Sequence, residues 1–136
     1  MNKAKKRILV VDDEPGITRL LKLNLEQTGQ YEVATENASQ AALAAAEQFQ
    51  PDLMLLDVMM PGLDGGNLAA ELQASPKLKG VPIVFLTATV TREEVNKRRG
   101  VVGGLPFLPK PVNVNEVLTC LERHLGPAAP PAAPPH

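Results

Sequence analysis

The chain has 136 residues, 44% hydrophobic and 21% charged, with a formal net charge of -1. Those values fit one globular domain with an ordinary core, and they exclude a strong overall basic field of the kind that attracts nucleic acid. Its single cysteine, Cys120, excludes an internal disulfide, and no apolar run reaches the ~18 residues of a membrane span. A cytoplasmic protein with no direct nucleic-acid partner and no membrane partner is the expectation.

With aromatics at 3% and no Trp, the core must come from Leu, Val, Ile, Ala and Met. The segment RILVV (7–11) reads as a short buried strand. From Pro15 to about Thr28, Ile17, Leu20, Leu21 and Leu25 recur at helical spacing, with Gly29 as the stop. YEVATE (31–36) alternates like a strand, and the Ala-rich stretch 38–48 reads as a helix. DLMLLD (52–57) is a continuous apolar run ending in an acid. Leu68 and Leu72 mark a helix that Pro76 closes. VPIVFLTA (81–88) is another buried strand, followed by a short polar helix near 91–99. LPFLPKP (105–111) holds a brief strand, which its prolines should keep short or at an edge. Residues 113–125 give the clearest helix, with Asn113 and Glu116 as a capping pair. The tail GPAAPPAAPPH cannot build a core and is expected to be a disordered tail or linker stub over 126–136, leaving 1–125 as the domain.

Five strands alternating with five helices predict an α/β domain: a five-stranded parallel sheet, doubly wound in the flavodoxin-like order 2-1-3-4-5. In that order the carboxyl ends of the strands form one rim. Asp12 and Asp13 end strand one, Asp57 ends strand three, Thr87 ends strand four, and Lys110 follows strand five. Two carboxylates ~4 Å apart repel by roughly 4 kcal/mol at an effective dielectric of 20, so a proton or a cation must offset them. A hard divalent ion such as Mg²⁺ suits oxygen ligands and keeps positions for phosphate oxygens. Lys110 offers a charge and Thr87 a hydroxyl to a phosphoryl group, and a nucleophilic Asp would form an acyl phosphate.

The segments ILVVDDEP, PDLMLLDVMMPGLDG, VPIVFLTA and FLPKP stand in the order and spacing of a response-regulator receiver domain, the phosphoacceptor of two-component signalling. The chain resembles that family from residue 6 to about 125. The resemblance implies phosphorylation at Asp57, with Asp13 a direct Mg²⁺ ligand, Asp12 acting through water, and the Met59 carbonyl completing the shell. It implies that Lys110 contacts the phosphoryl group through a segment with a cis Lys110-Pro111 bond, that Thr87 is the switch hydroxyl, and that Phe107 is the aromatic that follows it. It implies a sensor histidine kinase or phosphotransfer protein as donor, a downstream protein target, and a monomer or weak phosphorylation-dependent dimer. Such a chain is a switch with self-phosphorylation and self-dephosphorylation chemistry, not an enzyme.

Each residue has a plainer role open to it. Asp13 or Glu14 could simply cap the helix begun at Pro15, and Glu14 is best explained that way. Phe107 alone reads as core, Lys110 as surface, and Cys120 as packing. Two other functions stay open at this point. A phosphatase of the haloacid-dehalogenase type also uses an Asp nucleophile and Mg²⁺, but needs its acids after strand one at a different spacing. A phosphorylation-independent interaction module would leave Asp57 unreactive.

Overall fold

The structure, a computed structural model, describes residues 5–57, 59–60, 63–87, 101–102, 105–109 and 113–125. Strands β1 (Lys6–Val11), β2 (Tyr31–Glu36) and β3 (Leu53–Asp57) alternate with helices α1 (Pro15–Gln27) and α2 (Ala42–Phe49). A two-residue pair, β4 (Met59–Met60) and β5 (Leu63–Asp64), precedes α3 (Gly65–Ala74). β6 (Ile83–Thr87), β7 (Val101–Val102), β8 (Leu105–Pro109) and α4 (Val114–Leu125) follow.

The main sheet runs β2-β1-β3-β6-β8-β7, and its first five members pair in parallel. It departs from the expected all-parallel, five-stranded sheet in one respect. β7 adds a sixth strand, antiparallel, with Val101 opposite Pro106 and Val102 opposite Leu105. The proline-dense β8 is short, as its prolines require: Phe107–Pro109 pair with β6 and only Leu105 and Pro106 with β7, so among the described strands each residue is paired on one side alone. One-sided pairing asks few backbone N–H donors of its prolines. Four α-helices are present among the described residues rather than five; the helix expected near 91–99 and the tail 126–136 lie outside them.

The central strands are apolar along their buried residues, Ile8–Val11, Leu53–Leu56 and Ile83–Leu86, because both faces of the sheet are covered there, whereas β2 alternates. Leu9, Val11, Met54, Leu56, Ile83 and Phe85 pack on one side with Ala42 and Ala46 of α2 and Leu68, Ala69 and Leu72 of α3. Their alternates Ile8, Val10, Leu53, Leu55, Val84 and Leu86 pack on the other side with Leu21 and Leu25 of α1 and Val117, Cys120 and Leu121 of α4. Thr18 and Leu21 turn inward from α1, whereas Leu20 is 42% and Leu23 is 61% exposed. The sequence pattern had placed Leu20 on the buried face; a straight 3.6-residue helix carries it past the contact with β1 and β2.

Punctuation follows the chemistry of the terminal residues. Gly29 takes φ +78° directly after α1 and donates its N–H to the Glu26 carbonyl at 3.0 Å, a left-handed stop that suits glycine. Asn113 accepts the Glu116 N–H at 3.1 Å, so the expected cap of α4 is present. No helix among the described residues is long and apolar enough to cross a membrane.

Candidate functional site

Parallel register builds the rim. Val11 pairs with Leu56, so Asp12 and Asp57 are the next residues on adjacent strands. Val11 also pairs with Glu36, which puts Asn37 level with Asp12 on the other side. Asp57 pairs with Leu86, and Thr87 pairs with Pro109, the residue before Lys110. Phe107 lies two positions earlier, opposite Phe85. The backbone thus brings Asp12, Asp57, Thr87 and the approach to Lys110 to one end of the sheet. Lys110 itself lies outside the described residues, and only the strand positions of Met59, Thr87 and Phe107 are described.

Asp12 is fully buried and Asp57 is 2% exposed, while Asp13 opens toward solvent. One carboxylate oxygen from each of the three lies within 4.8 Å of the others. Glu14 is the N-cap residue of α1, but its side chain makes no capping hydrogen bond. Instead Asp12 Oδ1 accepts the Glu14 N–H at 2.9 Å, which folds the turn back over Asp12. The Glu14 carbonyl then accepts from Ile17 N–H at 3.0 Å, with Pro15 in the first turn, where its missing N–H costs nothing. The expected capping by a Glu14 side chain is therefore replaced by an aspartate-centred turn.

Three clustered carboxylates, two of them out of water, line the rim with acidic oxygens. Their donor set consists of hard oxygens, which matches Mg²⁺ or Ca²⁺ and not a soft metal. A spread of 4.8 Å is close to the ~4 Å that separates opposite ligands of one Mg²⁺ with bonds of about 2.1 Å. The residues present fit such an ion.

Asn37 was not among the residues the sequence singled out. Its Nδ2 donates to the Asp12 carbonyl at 2.7 Å and to Thr18 Oγ1 at 3.1 Å. The sequence does carry a signal: Asn37 directly follows the second strand at the level at which Asp12 follows the first. Cys120 is buried, as expected for packing, and burial pushes its thiol up to about 11.

A family model described as the response regulator receiver domain matches residues 8–122. Among curated proteins, the alkaline phosphatase synthesis transcriptional regulatory protein PhoP of Bacillus subtilis is 42% identical over 113 residues, covering 82% of this chain and 45% of PhoP. The chain thus spans about half the length of that relative. Among solved structures, the chemotaxis protein CheY4 of Vibrio cholerae matches with a TM-score of 0.75 at 30% identity, over 89% of this chain and 99% of that one. The receiver domain of a sensor histidine kinase from Pseudomonas aeruginosa PAO1 matches with a TM-score of 0.74 at 29% identity, over 91% and 100%. That domain was solved with a magnesium ion coordinated in its active-site cleft.

Proposed function

The chain belongs to the response-regulator receiver family, and from that premise we propose that Asp57 accepts a phosphoryl group from a partner phosphohistidine. The observation that carries this is the placement of Asp57: buried at the carboxyl end of β3, its oxygen within 4.8 Å of oxygens of Asp12 and Asp13. A carboxylate oxygen of Asp57 attacks phosphorus, the O–P bond forms, and the N–P bond to the donor imidazole breaks. The imidazole leaves as the neutral ring after taking a proton from solvent. The product is an acyl phosphate, which water later hydrolyses to restore the carboxylate.

Mg²⁺, when bound, supplies charge neutralisation for the phosphoryl oxygens and lets them approach an acidic rim. Asp13, Asp57 and the Met59 carbonyl would hold it directly, and Asp12 through water. Lys110 would pair with the phosphoryl oxygens, and Thr87 would donate its hydroxyl to one of them. Phe107, two positions before Pro109 on β8, would report that movement on the β8–α4 side. The added charge biases two conformations of that face, and so its affinity for a protein partner.

On this reading residues 1–125 are the receiver and 126–136 a Pro/Ala-rich tail or linker. The donor is a sensor histidine kinase or phosphotransfer protein, and the output is carried by a downstream protein. The family assignment leaves the haloacid-dehalogenase reading without support. The test is to treat wild type and Asp57→Asn with acetyl phosphate and Mg²⁺ and compare intact masses. Wild type should gain one base-labile phosphoryl group and the variant none. Equal gain in both, or none in wild type, sinks the proposal.

A further inference from the structure

Taking the acid cluster to be the Mg²⁺ site, we infer that Asn37 is a positioning residue for its ligands, acting through the backbone that carries Asp12 and Asp13. One amide group ties three elements together. Its nitrogen donates to the Asp12 carbonyl at 2.7 Å and to Thr18 Oγ1 at 3.1 Å. Thr18, 3% exposed in the first turns of α1, donates its own O–H to the Pro15 carbonyl at 3.1 Å. The amide orientation follows from chemistry: a backbone carbonyl only accepts, so the nitrogen and not the oxygen must face Asp12.

Asp12, Asp13 and Glu14 lie between the two points that Asn37 holds. On one side the turn is fixed at the end of β1, where the Asp12 N–H also donates to the Glu36 carbonyl at 3.1 Å. On the other it is fixed at the start of α1 through Thr18 and Pro15. Asn37 thus anchors the turn from the β2 side while Asp57 approaches it from the β3 side. Mg²⁺ tolerates little departure from octahedral geometry, so a small loosening of this turn is felt as lost affinity. A side chain that only tidied the loop after β2 would not change metal binding in folded protein.

The test compares wild type, Asn37→Ala and Asn37→Leu in Mg²⁺ titrations by calorimetry, well below the melting temperature. Backbone amide spectra of Asp12, Asp13 and Glu14 are recorded in metal-free protein alongside. Both variants should bind Mg²⁺ roughly 3- to 10-fold more weakly, with those three amides shifted before any metal is added. Thr18→Val, which removes one of the two acceptors, should show a smaller loss and serves if the Asn37 variants do not fold. Ser75→Ala is the control. It breaks the 2.7 Å bond from Ser75 Oγ to Glu47 Oε2, ahead of β6 and away from the carboxyl rim, and should keep wild-type affinity. Unchanged affinity in both Asn37 variants overturns the role of Asn37 and leaves the metal reading standing. An equal loss in Ser75→Ala also overturns it, because general softening would then suffice. Absence of Mg²⁺ binding in wild type overturns the metal reading itself.

Discussion

Val11 of β1 lies directly opposite Leu56 of β3, and each is followed by an aspartate. Two buried carboxylates therefore sit side by side because two apolar strands are in register, and Asp13 brings a third oxygen within 4.8 Å. Hydrophobic pairing fixes where the charge goes. Sliding either strand by one residue would exchange its two apolar faces and separate the acids at the same time.

Metal binding should stabilise the folded chain, since the unfolded chain has no such cluster. At a Mg²⁺ concentration about 100-fold above its dissociation constant the gain is ~2.7 kcal/mol. Thermal unfolding with and without Mg²⁺ measures it, with NaCl at matched ionic strength as control. The rise in melting temperature should disappear in Asp57→Asn and shrink strongly in Asp13→Asn. A rise of equal size in all three proteins would show that the ion acts elsewhere.

Two leucines of α1, two positions apart, should behave oppositely. Leu25 is fully buried against Leu21, Tyr31 and Val33, so Leu25→Ala removes packed methyl groups and leaves a cavity, costing roughly 2–5 kcal/mol. Leu23 is 61% exposed, and Leu23→Ala should change stability by less than about 0.5 kcal/mol. Urea unfolding of both variants measures the contrast. Comparable losses would mean that the outer face of α1 is covered in solution.

The contrast also marks what the sequence could and could not disclose. Strand runs such as LMLLD were plain because both sheet faces are apolar, and the acids at their ends could be placed on one rim by topology alone. The phase of α1 was less plain: Leu20 and Leu23 are as apolar as Leu21 and Leu25, and only the contact with the sheet separates them. β7, at two residues, is too short to carry a periodic signal, and so is the β4–β5 pair. Asn37 carries no charge and interrupts no apolar run, and a lone Asn after a strand usually marks a turn. Its value lies in the level it shares with Asp12, which depends on strand register. The clustered acids were thus legible where charge interrupts an apolar run, and Asn37 was hidden because a neutral amide bonded to backbone leaves no such mark.

Glu26 should make a small, pH-dependent contribution. The Val33 N–H, donating to Glu26 Oε2 at 3.1 Å, holds this carboxyl below its ordinary value of 4.5; slight burial opposes the shift, and Lys22 adds to it. Lys22 Nζ also donates to the Val33 carbonyl at 2.7 Å, which closes a clamp between α1 and β2. A depressed carboxylate contributes stability above its unfolded value, and loses it as the pH falls through the folded one. Both side chains are more than a third exposed, so solvent screening keeps the contribution under about 1 kcal/mol. Glu26→Gln should be slightly less stable at neutral pH, and the difference should narrow below pH 4.5. Parallel urea curves across that range decide it; a gap that widens in acid contradicts the clamp.

Cys120 should be chemically quiet even with a histidine beside it. His124 Nδ1 lies 3.6 Å from the thiol sulfur but 2.9 Å from the Cys120 carbonyl oxygen. A carbonyl can only accept, so Nδ1 carries the proton and cannot serve as base toward the thiol. Burial pushes that thiol from its ordinary 9.0 up to about 11, against a weak opposing pull from Arg123. Thiolate is therefore scarce near neutral pH, and iodoacetamide at pH 8 should modify native protein at least ~100-fold more slowly than urea-unfolded protein. The same shift sets an alkaline limit. Because the folded value is the higher one, stability is complete below pH 9 and declines as the pH rises through 11, by up to roughly 2–3 kcal/mol. Tyr31, also raised by burial, adds a loss of the same sign, so Cys120→Ala should remove only part of the decline. Rapid alkylation of folded protein at pH 8 would mean that the helix carrying Cys120 opens readily from the sheet, contrary to its packing against Leu21 and Leu25.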